Sequence, residues 1–195
     1  ISRLADSGRV RWKRDPRDWF EFRIPGSYEL VEADSAFPSG EGDWLFEPES
    51  GEGVWALFEL GEQMVGYPFF TIEAPEGAVV ELMVQESHSE DNPPWLDTHF
   101  FNWSRFICRE GENRFEAFEY ESLRFLQSHV READGPVMIR DVGVRRRSYD
   151  WPRPPHFRCD EPGLQRLFEA SFNTLTNAAQ ETIVDGMGRE RQQYS

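Results

Sequence analysis

Towards its end the chain runs Asp185-Gly186-Met187-Gly188-Arg189-Glu190-Arg191-Gln192-Gln193-Tyr194-Ser195, crowding two carboxylates and two guanidiniums into the seven positions from Asp185 to Arg191. An acid that protonates a glycosidic oxygen needs a raised pKa. Neighbouring carboxylates and arginines fix hydroxyl groups through directional, often bidentate, hydrogen bonds. Asp185, Arg189 and Glu190 therefore have the composition of a sugar site. Gly186 and Gly188 let the backbone turn sharply where a helix ends. The bland alternative for the same residues is a charged, solvated turn.

A helix must deliver that turn. Asp160 can cap it, Pro162 suits its first turn, and Leu164, Leu167, Phe168, Phe172 and Leu175 recur at intervals of three and four. The spacing predicts a helix over about 161–183, roughly 35 Å long at 1.5 Å per residue. It carries one apolar stripe that nothing later in the chain can cover, as expected of the first helix of a helical domain continuing elsewhere. Before it, Trp151-Pro152-Arg153-Pro154-Pro155 can neither pair in a sheet nor continue a helix, so 151–159 reads as a linker. Upstream, Val54 to Leu60, Met64 to Ala74, Ala78 to Glu86, Phe115 to Tyr120, Leu123 to Val130 and Val137 to Val144 are short branched and aromatic runs. Pro75-Glu76-Gly77 and Asp134-Gly135-Pro136 punctuate them as turns. Several short strands with no helical period between them predict a mainly β domain, an antiparallel β-sandwich or jelly roll, over 54–150. Residues 1–53, with only a short possible strand at Trp19 to Ile24, read as part of the sandwich or a lead into it. Residues 160–195 read as the start of the next domain.

That order of sandwich, proline-rich joint, Phe157-Arg158-Cys159-Asp160-Glu161-Pro162-Gly163-Leu164, long helix, and Asp185 followed by Arg189-Glu190-Arg191 resembles the family 78 glycoside hydrolases, the bacterial α-L-rhamnosidases. Their motif also places its Asp five positions before the Glu of Arg-Glu-Arg. The stretches Gly66 to Glu86 and Phe115 to Val130 resemble the jelly roll that precedes the barrel in those enzymes. The resemblance implies that α-L-rhamnosidase activity belongs to a longer protein. In it, the helix after Asp160 would be the first helix of an (α/α)6 barrel, Glu190 the general acid, and Asp185 and Arg189 ligands of sugar hydroxyls in the minus-one subsite. The family inverts at the anomeric carbon with a base far downstream, so the 195 residues by themselves are expected to be inactive. Gly186-Met187-Gly188 stands where the family has Cys-Pro-Gln, and Gln192-Gln193-Tyr194 where Leu-Gly-Trp is common. Those departures bear on which deoxy sugar is taken more than on the reaction. The alternative from another class is a non-catalytic carbohydrate-binding or structural sandwich.

Composition narrows the remaining partners. Lys+Arg 21 against Asp+Glu 36 leaves a net charge of −15, which repels phosphate backbones and anionic lipid, so neither nucleic acid nor membrane is an expected partner. Sixteen Phe, seven Trp and five Tyr supply the large apolar bodies of a folded core. Cys108 and Cys159 read as two buried thiols rather than a bridge or a zinc site. His88, Glu90, Asp91, Asp97 and His99 lack metal-ligand spacing and read as a polar stretch of a long exposed connection over 88–104, and no cofactor motif is present. Trp95 and Trp103 read first as packing aromatics and second as sugar platforms. Asn102-Trp103-Ser104 matches a glycosylation acceptor, a short pattern that arises by chance. Arg145-Arg146-Arg147 is expected to pair with nearby acids. The start at Ile1 and the stop inside the motif-like run read as the limits of a fragment. Nothing in the chain specifies compartment or oligomeric state.

Overall fold

The computed structural model describes residues 2–13, 28–31, 42–49, 51–88, 103–186 and 191–193. The possible strand at Trp19 to Ile24, Trp95, most of the His88 to His99 stretch, and Met187 to Glu190 lie outside the described residues. In chain order the elements are β1 (Arg3–Trp12), β2 (Tyr28–Val31), β3 (Trp44–Phe46), β4 (Gly53–Ala74), β5 (Val79–Gln85), β6 (Trp103–Ile107), β7 (Gly111–Glu116), β8 (Glu121–Arg131), β9 (Val137–Arg146) and α1 (Pro162–Ala178).

The two apolar runs at 54–60 and 64–74 are halves of one strand. β4 is 22 residues long and serves both layers of an antiparallel β-sandwich. Its first half lies between β1 and β8, in the order β2-β1-β4-β8-β5-β6. Its second half pairs with β7 and β9, with β3 on the far side of β9. The halves are separated by a register irregularity between Glu59 and Met64 against β8, a bulge that lets one strand turn from one layer into the next.

Alternation then sorts the side chains. Val54, Ala56, Phe58 and Leu60 point inwards with Val80, Leu82, Val84, Leu126 and Val130, and meet Phe70, Ile72, Val137 and Ile139 of the other layer. Trp55 and Leu57, on the opposite face of β4, pack with Val10 and Met83 in a second cluster against which Trp103 rests. Trp103 therefore belongs to β6 rather than to a connection, and it packs, with the Arg105 guanidinium 4.9 Å from its ring centre. Pro75-Glu76-Gly77 is the β4–β5 turn, where Gly77 takes the positive φ of 86° that its type permits.

The alternation over Phe115 to Tyr120 does not continue as strand. β7 ends at Glu116, because its partner on β4 beyond Phe69 is Pro68, which has no N–H to give. Pro68 only accepts, from the Ala117 amide at 2.9 Å, and Phe118 is left 99% exposed. Cys108 is buried and Cys159 half-buried, both as free thiols, and burial pushes the Cys108 thiol up to about 11.

α1 starts at Pro162, and its cap is Glu161 rather than Asp160: the Glu161 carboxylate accepts from the Gly163 amide at 3.2 Å. It stops at Ala178, five residues before the expected end. There the chain folds back on itself, Ala179 bridging to Ile183 and the Val184 amide reaching the Ala178 carbonyl. The face that α1 lays on the sandwich is polar. The bulge on β4 leaves the Gln63 carbonyl outside the ladder, and the side-chain amides of Asn173 and Asn177, four residues apart, donate to it at 3.2 and 3.0 Å. Asn177 is the buried residue of the helix, while Leu164, Leu167 and Leu175 remain exposed. Linker rings cover part of the apolar stripe, Phe157 against Phe168 and Trp151 against Phe172.

Candidate functional site

The turn after α1 is held against the corner where β4, β8 and β9 meet. Gly66 pairs with Glu121 across one edge of β4 and with Arg146 across the other. The strands approach so closely that a Cβ on Gly66 would lie 2.3 Å from the Arg145 carbonyl oxygen, which only glycine avoids. Val65 and Val184 are buried together there, with Tyr120 packed on them, so the residue just before Asp185 is pinned to the sandwich.

Basic residues at the end of β9 complete the seam. Arg145 binds Glu116 through two nitrogens, at 2.8 and 2.7 Å. Arg146 donates to Glu62 and to Asn173 of α1, both at 2.9 Å. Arg147 pairs with Glu181 in the reverse turn after α1 and lies 4.4 Å from the Tyr120 ring centre. The run Arg145-Arg146-Arg147 is thus neutralised by acids, as its setting in an acidic chain implied, and it straps helix and turn to the sheet.

Of the residues singled out for chemistry, Asp185 is described, and it is exposed to solvent. Its amide donates to the Gln192 carbonyl at 3.1 Å, which holds the two flanks of 187–190 together. Arg189 and Glu190, between those flanks in sequence, lie outside the described residues. Arg191, on the return side, has a φ of 54° and sends Nη2 to Oε2 of Glu121 at 2.5 Å, with its guanidinium 4.8 Å from the Tyr120 ring centre. Sequence reasoning placed Tyr120 only in an alternating run and did not name Glu121, and it gave neither a part in the site. Their signal is faint, an acid-aromatic-acid run at Glu119-Tyr120-Glu121 just before a strand. Burial pushes the Glu121 carboxyl up to about 7, against the pull of Arg191 and with a further push from Glu119.

Elsewhere the second face of the sandwich holds a buried ion cluster. Oε1 of Glu81 accepts from Arg131 and from Arg105, and burial nonetheless pushes its carboxyl up. Among the described residues there is no group of three or more His, Cys, Asp and Glu side chains arranged to hold a metal ion.

The fold is also found in solved structures. A family 78 rhamnosidase of Bacillus sp. GL1 superposes with a TM-score of 0.70 over 92% of this chain, at 23% identity. The fold is similar to that of a segment of this rhamnosidase. A rhamnosidase from Klebsiella oxytoca with rhamnose bound superposes with a TM-score of 0.63 over 97% of this chain, at 18% identity. The chain spans 17% of the first protein and 38% of the second. No protein-family model and no curated protein matches the sequence.

Proposed function

We propose that this chain is the sandwich and barrel-entry segment of an α-L-rhamnosidase-like glycoside hydrolase, acting on terminal α-L-rhamnosyl or related deoxy-sugar residues with inversion. One observation carries the reading: the likeness to two rhamnosidase segments runs over nine-tenths or more of a chain that also bears Asp-x-x-x-Arg-Glu-Arg. In this reading α1 is the first helix of an (α/α)6 barrel, and its exposed leucines are covered by later helices of the same polypeptide.

Glu190 gives its proton to the leaving glycosidic oxygen as the bond to the anomeric carbon breaks. Asp185 accepts from sugar hydroxyls, and Arg189 donates to them, holding the ring in the minus-one subsite. A carboxylate outside this chain removes a proton from the attacking water on the opposite face. The exposure of Asp185, whose amide is held by the Gln192 carbonyl, supports this assignment, because a hydroxyl ligand must be reachable from solvent.

The test is Glu190→Gln in the complete polypeptide that carries this segment. Activity on alkyl or glycan rhamnosides should fall by about 10²- to 10⁴-fold, the usual range for a general acid, while activated aryl rhamnosides lose far less. Equal losses on both substrates would remove Glu190 from the acid role.

A further inference from the structure

Glu121 and Arg191 are 70 positions apart in sequence, yet they form a part-buried pair at 2.5 Å, with side chains 13% and 21% exposed. Exposed pairs of this type contribute little, because solvent screens them and long side chains lose freedom. This one differs in three respects. Glu121 begins β8 opposite Gly66, where the backbone is held on both sides, so the carboxylate starts from a rigid base. Tyr120 packs on Val65 and Val184 and receives the Arg191 and Arg147 guanidiniums, so Arg191 is gripped through its charge and through its plane. Arg191 also adjoins Gln192, whose carbonyl accepts from the Asp185 amide.

We propose that Glu121 is a positioning residue: by holding Arg191 against the β-sandwich, it fixes the chain at the residue that follows Arg189 and Glu190 in sequence. Its catalytic consequence rests on the hydrolase reading above; the anchor itself rests on the geometry. The residue before Glu121 supports Arg191 as well, so the sandwich acts as a template for the chain there and not only as a neighbour of the helical domain. Arg146 is turned to Glu62 and Asn173, and Arg147 to Glu181, which leaves Arg191 and Glu119 as the charged groups that act on the Glu121 carboxylate among the described residues.

Trypsin reads the anchor directly, because its cleavage after Arg191 needs that side chain to leave Glu121, and Arg114, 79% exposed, serves as an internal reference. In the 195-residue chain at about pH 8, Glu121→Gln should raise cleavage after Arg191 about tenfold and leave cleavage after Arg114 unchanged. Equal cleavage after Arg191 in the variant and the parent overturns the anchor. If Glu121→Gln loosens the sandwich as a whole, cleavage after Arg114 rises too, and Arg191→Gln decides instead: faster cleavage after Arg189 alone supports the anchor, and no change overturns it. In the complete polypeptide, Glu121→Gln and Arg191→Gln should each lower kcat on rhamnosides about tenfold at nearly constant KM. The double variant should lose no more than Arg191→Gln alone, since Glu121 acts through Arg191. Additive losses, or an unchanged kcat, overturn the positioning role. If the complete polypeptide hydrolyses no rhamnoside at all, the hydrolase reading fails, while trypsin still decides the anchor.

Discussion

Two buried side chains set opposing pH dependences. Burial lowers His129 to about 3 from the usual 6.5, so the folded state refuses a proton that the unfolded chain accepts below pH 6.5, and stability is lost from there down to about pH 3. Burial raises Glu121 to about 7 from 4.5, so between those values the folded state keeps a proton that the unfolded chain has released, and stability falls as pH rises. Acidification from pH 7 to 4.5 therefore costs on the order of 3 kcal/mol through His129 and returns about as much through Glu121, at 1.36 kcal/mol per pKa unit. The expected unfolding free energy from urea titrations is nearly flat over that window. Below pH 4.5 it falls, as Glu59, Glu116 and Glu181, all lowered by arginine partners or backbone hydrogen bonds, become protonated. In Glu121→Gln the compensating slope is gone, and the decline should begin near pH 6.5. A flat profile in that variant would mean that His129 titrates normally in the folded protein.

At the scale of elements, the docking of α1 departs most from what its pattern suggests. A 17-residue helix is marginal alone, and amphipathic helices usually settle through their apolar face. Here Asn173 and Asn177 bind the Gln63 carbonyl, and the apolar face stays open apart from the linker rings. The bulge explains it, since a carbonyl displaced from its ladder must find donors. Replacing both asparagines by alanine removes two hydrogen bonds worth about 1 kcal/mol each. Amide exchange of α1 should then quicken by at least tenfold while β4 and β8 stay protected. Unchanged protection would assign the docking to Trp151 and Phe157 instead. The helix period was legible from Leu164 to Leu175, but which face would meet the sheet was not, because periodicity locates a stripe and says nothing of its partner.

For the molecule as a whole, the open stripe on α1 has a consequence in solution. Leu164 and Leu167 are 51% and 62% exposed and lie on one face, so the 195-residue chain should self-associate through them. Leu164→Glu with Leu167→Glu should leave the melting temperature within a few degrees and shift sedimentation towards monomer; persistent association would locate the sticky surface elsewhere. Part of the local structure was readable without coordinates. Branched and aromatic runs marked β4, β5, β8 and β9 but not β1, β2, β3 or β6, Pro75-Glu76-Gly77 and the Pro-rich stretch marked the breaks, and Asp185, Arg189 and Glu190 were picked out as candidates by type and spacing, because such features depend on neighbours a few positions apart. Tertiary structure alone decided that the runs at 54–60 and 64–74 are one strand shared by two layers, that α1 docks through asparagines, and that Glu121 meets Arg191. Those outcomes depend on backbone groups freed by a bulge and on pairs 70 to 114 residues apart, and no local pattern encodes which distant group will arrive.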